Sequence, residues 1–222
     1  MMRRALLFLA LAVAGGHAAV AQDSLSLTNL DRETAARLLR IVDSARVHGL
    51  PTEPIVAKIS QGALFHSPPD RIVLAAQNVA TRLEEARSVL APKPTPADIA
   101  AGADALGVAG VTKEALRAVR ATSPNKPIAV PIAVLTQLVA SNVPVERATR
   151  IVTELMKRGA TNAQLVTLGN DVNADVGRGA RAVASLDVRL QGLNAVLAPT
   201  AGAISTASDP AGLQSGSGPK KP

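Results

Sequence analysis

The sequence predicts an all-α protein of about nine short-to-medium helices in helix-turn-helix pairs. Three observations support this prediction. Apolar residues recur at three- and four-residue steps through most of the chain, as expected for helices with one buried face. Proline, Ser, Thr and Asp precede these segments and glycine follows many of them, which is typical of helix starts and stops. No stretch shows the alternation of apolar and polar residues that indicates a strand.

One sequence motif occurs twice, at residues 49–83 and 142–176. The copies align without a gap at an offset of 93 (144 − 51), which places Pro51 on Pro144. Few residues are identical, but the apolar register holds throughout. Recurring helical pairs favour a stacked array, although the period does not match the tetratricopeptide, ankyrin or HEAT consensus. The motif therefore predicts duplicated halves that form either a solenoid-like array or a compact bundle.

The N-terminus has the pattern of a secretory signal peptide at residues 1–21. Arg3 and Arg4 precede an apolar run at residues 5–16, and Ala19-Val20-Ala21 supplies a cleavage site. The run of about a dozen residues is short for a membrane span, which needs about 20. The chain contains no cysteine, which excludes a lipoprotein anchor. We therefore expect cleavage near Ala21 and export to the periplasm or the medium.

Residues 22–121 are predicted to form the first helical half. A helix over about 31–48 ends at Gly49, because glycine is the usual residue after a helix. The motif then supplies two helices, the second of which begins with Ser67-Pro68-Pro69-Asp70, a capping serine followed by prolines and a carboxylate. Further helices begin near Thr95 and Thr112. The residues expected to face inward are Leu38, Val42, Ala45, Ile55, Ile59, Ala63, Ile72, Ala76, Val79, Leu83, Ala86, Leu90, Ile99, Ala103, Leu106, Leu116 and Val119.

Residues 122–127 form a predicted linker, and residues 128–198 form the second helical half. Its helices include one that carries Pro131 in its first turn, the second motif copy, and a last helix over roughly 180–197. From Pro199 the composition is Gly, Ser, Pro, Ala and Thr, which predicts a disordered tail at residues 199–222. The residues expected to face inward are Ile128, Ile132, Leu135, Val139, Ala148, Ile151, Val152, Leu155, Leu165, Leu168 and Val172.

Composition excludes several chemistries and disfavours others. Without cysteine there is no thiol nucleophile, thiolate metal site or disulfide. Trp and Tyr are absent, so Phe65 is the one Phe, Tyr or Trp ring left after signal cleavage. In the most basic helix Glu146 and Glu154 alternate with arginines at four-residue spacing, which predicts ion pairs rather than a free cationic patch. We therefore expect no nucleic-acid partner.

A metal site is one alternative, at Asp171, Asn173 and Asp175. Their alternating oxygen ligands resemble part of a calcium loop. The match is incomplete, because the glycine comes one place late and Ala182 stands where the loop needs a bidentate glutamate. His48 and His66 lie at a helix end and in a turn, without a second ligand one helical turn away. We assign no catalytic residue and no cofactor.

The last predicted helix carries an apolar stripe of Val183, Leu186, Leu190, Leu193 and Leu197. Such a stripe can pack on its own domain, bind a partner or a second copy, or lie on a membrane surface. The apolar face lacks Trp and Phe, and the polar face is only weakly basic. Intramolecular packing is thus favoured over a contact with a partner, and membrane binding is the least favoured.

These observations support the hypothesis of an exported, non-catalytic helical interaction or scaffold protein of the bacterial cell envelope. Its partner would be another envelope protein or a second copy of the chain. One alternative is an enzyme or metal-binding protein with His66, or Asp171 and Asp175, near its site. Another is a peripheral membrane protein that binds through residues 180–197.

Overall fold

A computed structural model describes residues 30–108 and 110–197 of the chain. This part contains nine α-helices and no strand, which confirms the all-α prediction. The predicted signal peptide and the predicted tail at residues 199–222 lie outside the described residues. The helices are α1 (Arg32–Val47), α2 (Glu53–Leu64), α3 (Pro69–Val89), α4 (Pro96–Leu106), α5 (Lys113–Thr122), α6 (Ala129–Ala140), α7 (Val145–Lys157), α8 (Asn162–Gly177) and α9 (Ala182–Leu197).

The chain divides into two compact units between Gly107 and Val108. The first unit contains α1 to α4, and the second contains α5 to α9. This division lies upstream of the segment 122–127, where composition predicts a linker. The helix α5 belongs to the second unit because it packs on α7.

The segment after α5 is a turn fastened to the end of that helix. One guanidinium nitrogen of Arg120, Nη1, donates hydrogen bonds to the carbonyls of Ser123, Pro124 and Lys126 at 3.3, 3.4 and 3.1 Å. Arg120 is itself buried. Because a buried cation needs such acceptors, the proline-containing segment is held at the end of α5, although residues 124–127 are exposed.

In the first unit α3 packs against α1, α2 and α4. Its predicted inner positions, from Ile72 to Leu90, are all buried, and Ala63 and Leu106 are the predicted inner residues of this unit that are only partly buried. Gly62 permits a close approach of α2, since a Cβ there would lie 2.8 Å from Ile72 Cγ1. The core consists of Leu38, Val42, Ala45, Leu50, Ile55, Ile59, Ile72, Val73, Ala76, Val79, Leu83, Ala86, Ile99 and Ala103.

In the second unit α6 packs on α7 and α8, and α8 packs on α9. Most of the predicted inner residues are buried. Val139 and Ile151 are only partly buried, and Leu138 is fully buried instead of Val139. The helix α6 is apolar around most of its circumference, so periodicity alone does not define its inner face.

The two copies of the motif share their turn geometry. Gly49 and Asn142, which are 93 residues apart, have φ angles of 67° and 69°. His66 and Gly159, at the same offset, have φ angles of 50° and 81°. The hydrogen bonds that close each turn also correspond: they are Leu50 N to Ala45 O and Val143 N to Leu138 O, and Ser67 N to Gly62 O and Ala160 N to Leu155 O. The repetition therefore extends from the apolar register to the backbone.

The copies differ in how their helices pack. In the first unit α2 packs closely along α3, whereas in the second unit the equivalent helix α7 packs on α5 and α6. Of the helices in the described ranges, none is long and apolar enough to cross a membrane.

Candidate binding groove between α8 and α9

The two sets of residues that the sequence singles out lie on α8 and α9, which pack against each other. A reciprocal capping box begins α8: the Thr161 hydroxyl accepts a hydrogen bond from Gln164 N at 3.2 Å, and the Gln164 side chain accepts one from Thr161 N at 2.8 Å. The chain reverses after α8 at Gly179, whose φ of 94° favours glycine. These local signals place α9 beside α8.

Asp175 is the centre of a hydrogen-bond network that joins the two helices. Arg189 donates to both carboxylate oxygens, from Nε and Nη2, each at 2.9 Å. The Ser185 hydroxyl donates at 2.6 Å, and Arg178 donates from the end of α8. Arg189, followed by Ser185 and Arg178, lowers the pKa of Asp175 below its ordinary value of 3.8. Asp175 is thus a weak base that is held ionised.

Arg189 also contacts Asp171, one helical turn before Asp175 on the same face of α8. Its Nη1 donates to Asp171 Oδ2 at 3.2 Å. The two carboxylates, Asp175 above all, raise the pKa of Arg189. The guanidinium therefore bridges both carboxylates, and its positive charge stands where a metal ion would need to bind them.

Asn173, the third predicted metal ligand, lies on another face of α8. Its Oδ1 accepts a hydrogen bond from the Ser141 hydroxyl at 3.4 Å, and Ser141 directly follows α6. Because all three candidates lie within a helix, their oxygens do not wrap a common centre as a calcium loop requires. Within residues 30–108 and 110–197 no group of three or more His, Cys, Asp or Glu side chains is placed to hold a metal ion.

The predicted apolar stripe of α9 is largely turned inward. Leu186 is fully buried, whereas Val183, Leu190 and Leu193 are partly buried. Leu197 ends the helix, and its side chain lies outside the described part of the structure. Leu186 thus serves intramolecular packing.

The helix α9 is also tied to α7. Arg147 donates a hydrogen bond to Asp187, and Arg158 donates one to Asn194. The sequence predicts that Arg158 pairs with Glu154 along α7, yet its side chain reaches α9 instead. Arginine hydrogen bonds therefore join α9 to both α7 and α8.

A groove of about 470 Å³ runs between α8 and α9. Its volume falls within the range of small-ligand and side-chain pockets. Most of its lining is apolar, and Asp171 and Arg189 supply charge at one side. The apolar lining residues are Ala163, Leu168, Val188, Gly192 and Leu193.

Two features of this groove have no evident role in folding. Val188 is 65 % exposed although it lies on a well-packed helix. Gly192 lies inside α9, where glycine costs about 0.5–1 kcal/mol relative to alanine. A Cβ at Gly192 would meet no atom within 4 Å, so no neighbouring group requires the glycine. Gly192 therefore borders open space in the groove.

Arg189, Val188 and Gly192 were not assigned to a site from the sequence. Arg189 could have been found by pairing it with Asp171 and Asp175, whose spacing of four residues places both on one helical face. Gly192 lies inside an otherwise helical pattern, where glycine is less favourable than alanine, and this is the signal that could have singled it out.

No protein-family model, curated protein or solved structure matches this chain. The geometry of the two units is therefore the basis for the functional assignment.

Proposed function

We propose that this protein is an exported, non-catalytic helical interaction module of the bacterial cell envelope, and that the α8–α9 groove binds an apolar segment of another protein. The observation that carries the proposal is the largely apolar α8–α9 groove of about 470 Å³, which has Gly192 and the exposed Val188 in its wall. Export is supported by the signal-peptide pattern of residues 1–21.

The groove suits an inserted helix or extended segment. A glycine in its wall allows a partner backbone to approach closely, and Val188 and Leu193, five residues apart on α9, offer apolar contact. Helix-in-groove recognition uses apolar anchors of this kind. The ion pairs of α9 with α7 and α8 keep the groove formed before binding, which lowers the entropic cost of association.

The non-catalytic assignment is supported by the lowered pKa of Asp175, which shares Arg189 with Asp171. A general base at neutral pH needs a pKa raised toward that pH, whereas three donors lower the pKa of Asp175. The membrane alternative is disfavoured by the burial of Leu186 in the middle of the α9 stripe, because a membrane-bound helix needs that face free.

Site-specific photo-crosslinking tests the proposal. A photoreactive residue at position 188 of the tagged full-length protein is activated in cells, and crosslinked proteins are identified by mass spectrometry. We expect one stoichiometric partner in the envelope fraction, and a mature N-terminus at Gln22. Gly192→Leu should abolish the crosslink, because leucine fills the groove while improving helix propensity.

Gly177→Leu is the matched control, since Gly177 also has no atom within 4 Å of an added Cβ but lies outside the groove. It should leave the crosslink unchanged. Recovery of the protein without a crosslinked partner, or an equal yield in the Gly192→Leu variant, would refute the assignment of the groove.

A rise in melting temperature with Ca²⁺ would instead favour the metal-binding alternative, because binding to the folded state stabilises it.

A further inference from the structure

An exposed apolar pair lies at the end of α2 in the first unit. Leu64 and Phe65 are 73 % and 69 % exposed, and Phe65 is the one Phe, Tyr or Trp ring that follows the predicted signal peptide. A chain with so few aromatic rings would be expected to bury this one in its core. Its exposure therefore requires an explanation other than folding.

The second copy of the motif shows that the turn does not need apolar residues. At the offset of 93, Leu64 and Phe65 correspond to Lys157 and Arg158. Lys157 is exposed, and Arg158 forms a hydrogen bond with Asn194. The same backbone turn is thus built with two cations in one unit and with two large apolar side chains in the other.

The turn that presents Phe65 is held in one conformation. His66 has a φ of 50°, a left-handed conformation that costs a residue with a side chain about 1–2 kcal/mol. Ser67 N donates to Gly62 O at 2.9 Å and closes the turn. The backbone that follows the exposed pair is therefore closed by a hydrogen bond within the chain itself.

A groove of about 260 Å³ lies beside Phe65, between α2 and α3. Gly62, Ile72 and Ala75 line its apolar part, and Lys58 and Arg71 contribute positive charge. Its lining contains no carboxylate. Lys58 donates to Gln61 at 2.9 Å, and within the described ranges neither Lys58 nor Arg71 has a carboxylate partner. We call Lys58, Leu64, Phe65 and Arg71 the corner surface.

We propose that the corner surface binds a segment of another protein in which a large apolar side chain is flanked by Asp or Glu. The groove is concave and of side-chain size, Phe65 provides an aromatic contact at its wall, and the two unpaired cations complement carboxylates. This site lies in the first unit and does not depend on the α8–α9 groove.

Two other occupants fit less well. An anionic membrane would gain only about 1 kcal/mol from each of two cations, and a concave groove does not insert into lipid. A second copy of the chain would need to present a carboxylate-flanked apolar side chain to this groove. Both occupants are distinguished by the experiment below.

Selection from a phage-displayed library of random dodecapeptides on the immobilised full-length protein tests the proposal. We expect enriched peptides to carry Leu, Ile or Phe next to Asp or Glu. A synthetic peptide of the most enriched sequence should bind about tenfold more weakly to Phe65→Ser and to Arg71→Glu. Val47→Ser, a change at another highly exposed apolar residue of the same unit, and Lys157→Glu, a charge reversal elsewhere, should leave its affinity unchanged.

Binding of this peptide to Phe65→Ser and to Arg71→Glu that is as tight as its binding to the wild type would overturn the proposal. Binding to phosphatidylglycerol vesicles that is lost in the same two variants would assign the corner surface to a membrane instead. Concentration-dependent dimerisation that is lost in Phe65→Ser, measured by sedimentation equilibrium, would assign it to a second copy. Because all four substituted residues are exposed, circular dichroism should show unchanged folding in each variant.

Discussion

Replacement of Leu186 by alanine should loosen α9 from α8. The side chain is fully buried, and the change removes three carbon atoms, worth about 0.8 kcal/mol each when buried. A rigid core would add a cavity term that can bring the total to about 5 kcal/mol. The open groove beside α9 allows neighbouring side chains to shift into the space, so we expect a loss of about 2–3 kcal/mol.

Hydrogen–deuterium exchange of α9 amides measures this loss directly. The absence of Trp and Tyr rules out the usual intrinsic fluorescence signals, and circular dichroism averages over every helix. A loss of about 2–3 kcal/mol predicts exchange of α9 amides about 30- to 150-fold faster, at about 1.4 kcal/mol per factor of ten. The control is Val188→Ala on the same helix, which removes an exposed side chain and should change exchange less than threefold.

Exchange that is accelerated equally by both variants, or by neither, would refute the packing of α9 through Leu186. The first outcome would indicate that α9 unfolds locally regardless of which side chain occupies position 186. The second would indicate that the arginine contacts to α7 and α8 hold the helix without an apolar contribution.

Two further changes test the electrostatics and the turns. Asp175→Asn should lower the melting temperature at pH 7, and the difference from the wild type should shrink as the pH falls below 3.8. The reason is that a carboxylate whose pKa is lowered by folding stabilises the protein above its ordinary pKa. It loses this contribution as it becomes protonated in the folded state. A difference that grows toward low pH would contradict the lowered pKa. His66→Gly should raise the free energy of unfolding and Gly159→Ala should lower it, each by about 1 kcal/mol in urea titrations followed by circular dichroism. A shift of the same sign in both variants would show that the left-handed turns are not equivalent.

Most helices were predictable because their signals are local. The inner face of α3 is buried at every position that its periodicity indicated, from Ile72 to Leu90. The cap at Thr95 begins α4 with Asp98 completing the capping box, and Gly49 and Gly159 take the left-handed conformation after α1 and α7. Caps and turns depend on neighbours within about five residues, so they are encoded where they occur.

The inner face of α6 was less well defined. This helix has apolar residues on nearly all sides, and the burial of Leu138 instead of Val139 depends on contacts with α7 and α8. Periodicity identifies a buried face only when the other face is polar. The division between the two units lies upstream of the segment whose composition predicts a linker, because α5 packs on a helix that begins more than twenty residues after α5 ends.

The candidate groove depends on contacts that periodicity does not specify. Asp175 was identified as a possible ligand, but its binding to Arg189 requires the reversal of the chain after α8. Arg158 pairs across to Asn194 rather than along its own helix to Glu154. Four-residue spacing permits an ion pair without requiring it, since an exposed pair of this type is worth only about 0.3–0.5 kcal/mol.

Comparison of the two motif copies distinguishes the features that folding requires from those that can vary. Turn residues with positive φ and the hydrogen bonds that close these turns recur in both copies, so they belong to the shared architecture. The side chains at the end of α2 and α7 differ completely: Leu64 and Phe65 face solvent in one copy, while Arg158 binds α9 in the other. Because the backbone at these ends is equivalent, the turn does not require the exposed apolar pair, and the proposal of the corner surface rests on the comparison of the two copies as well as on exposure.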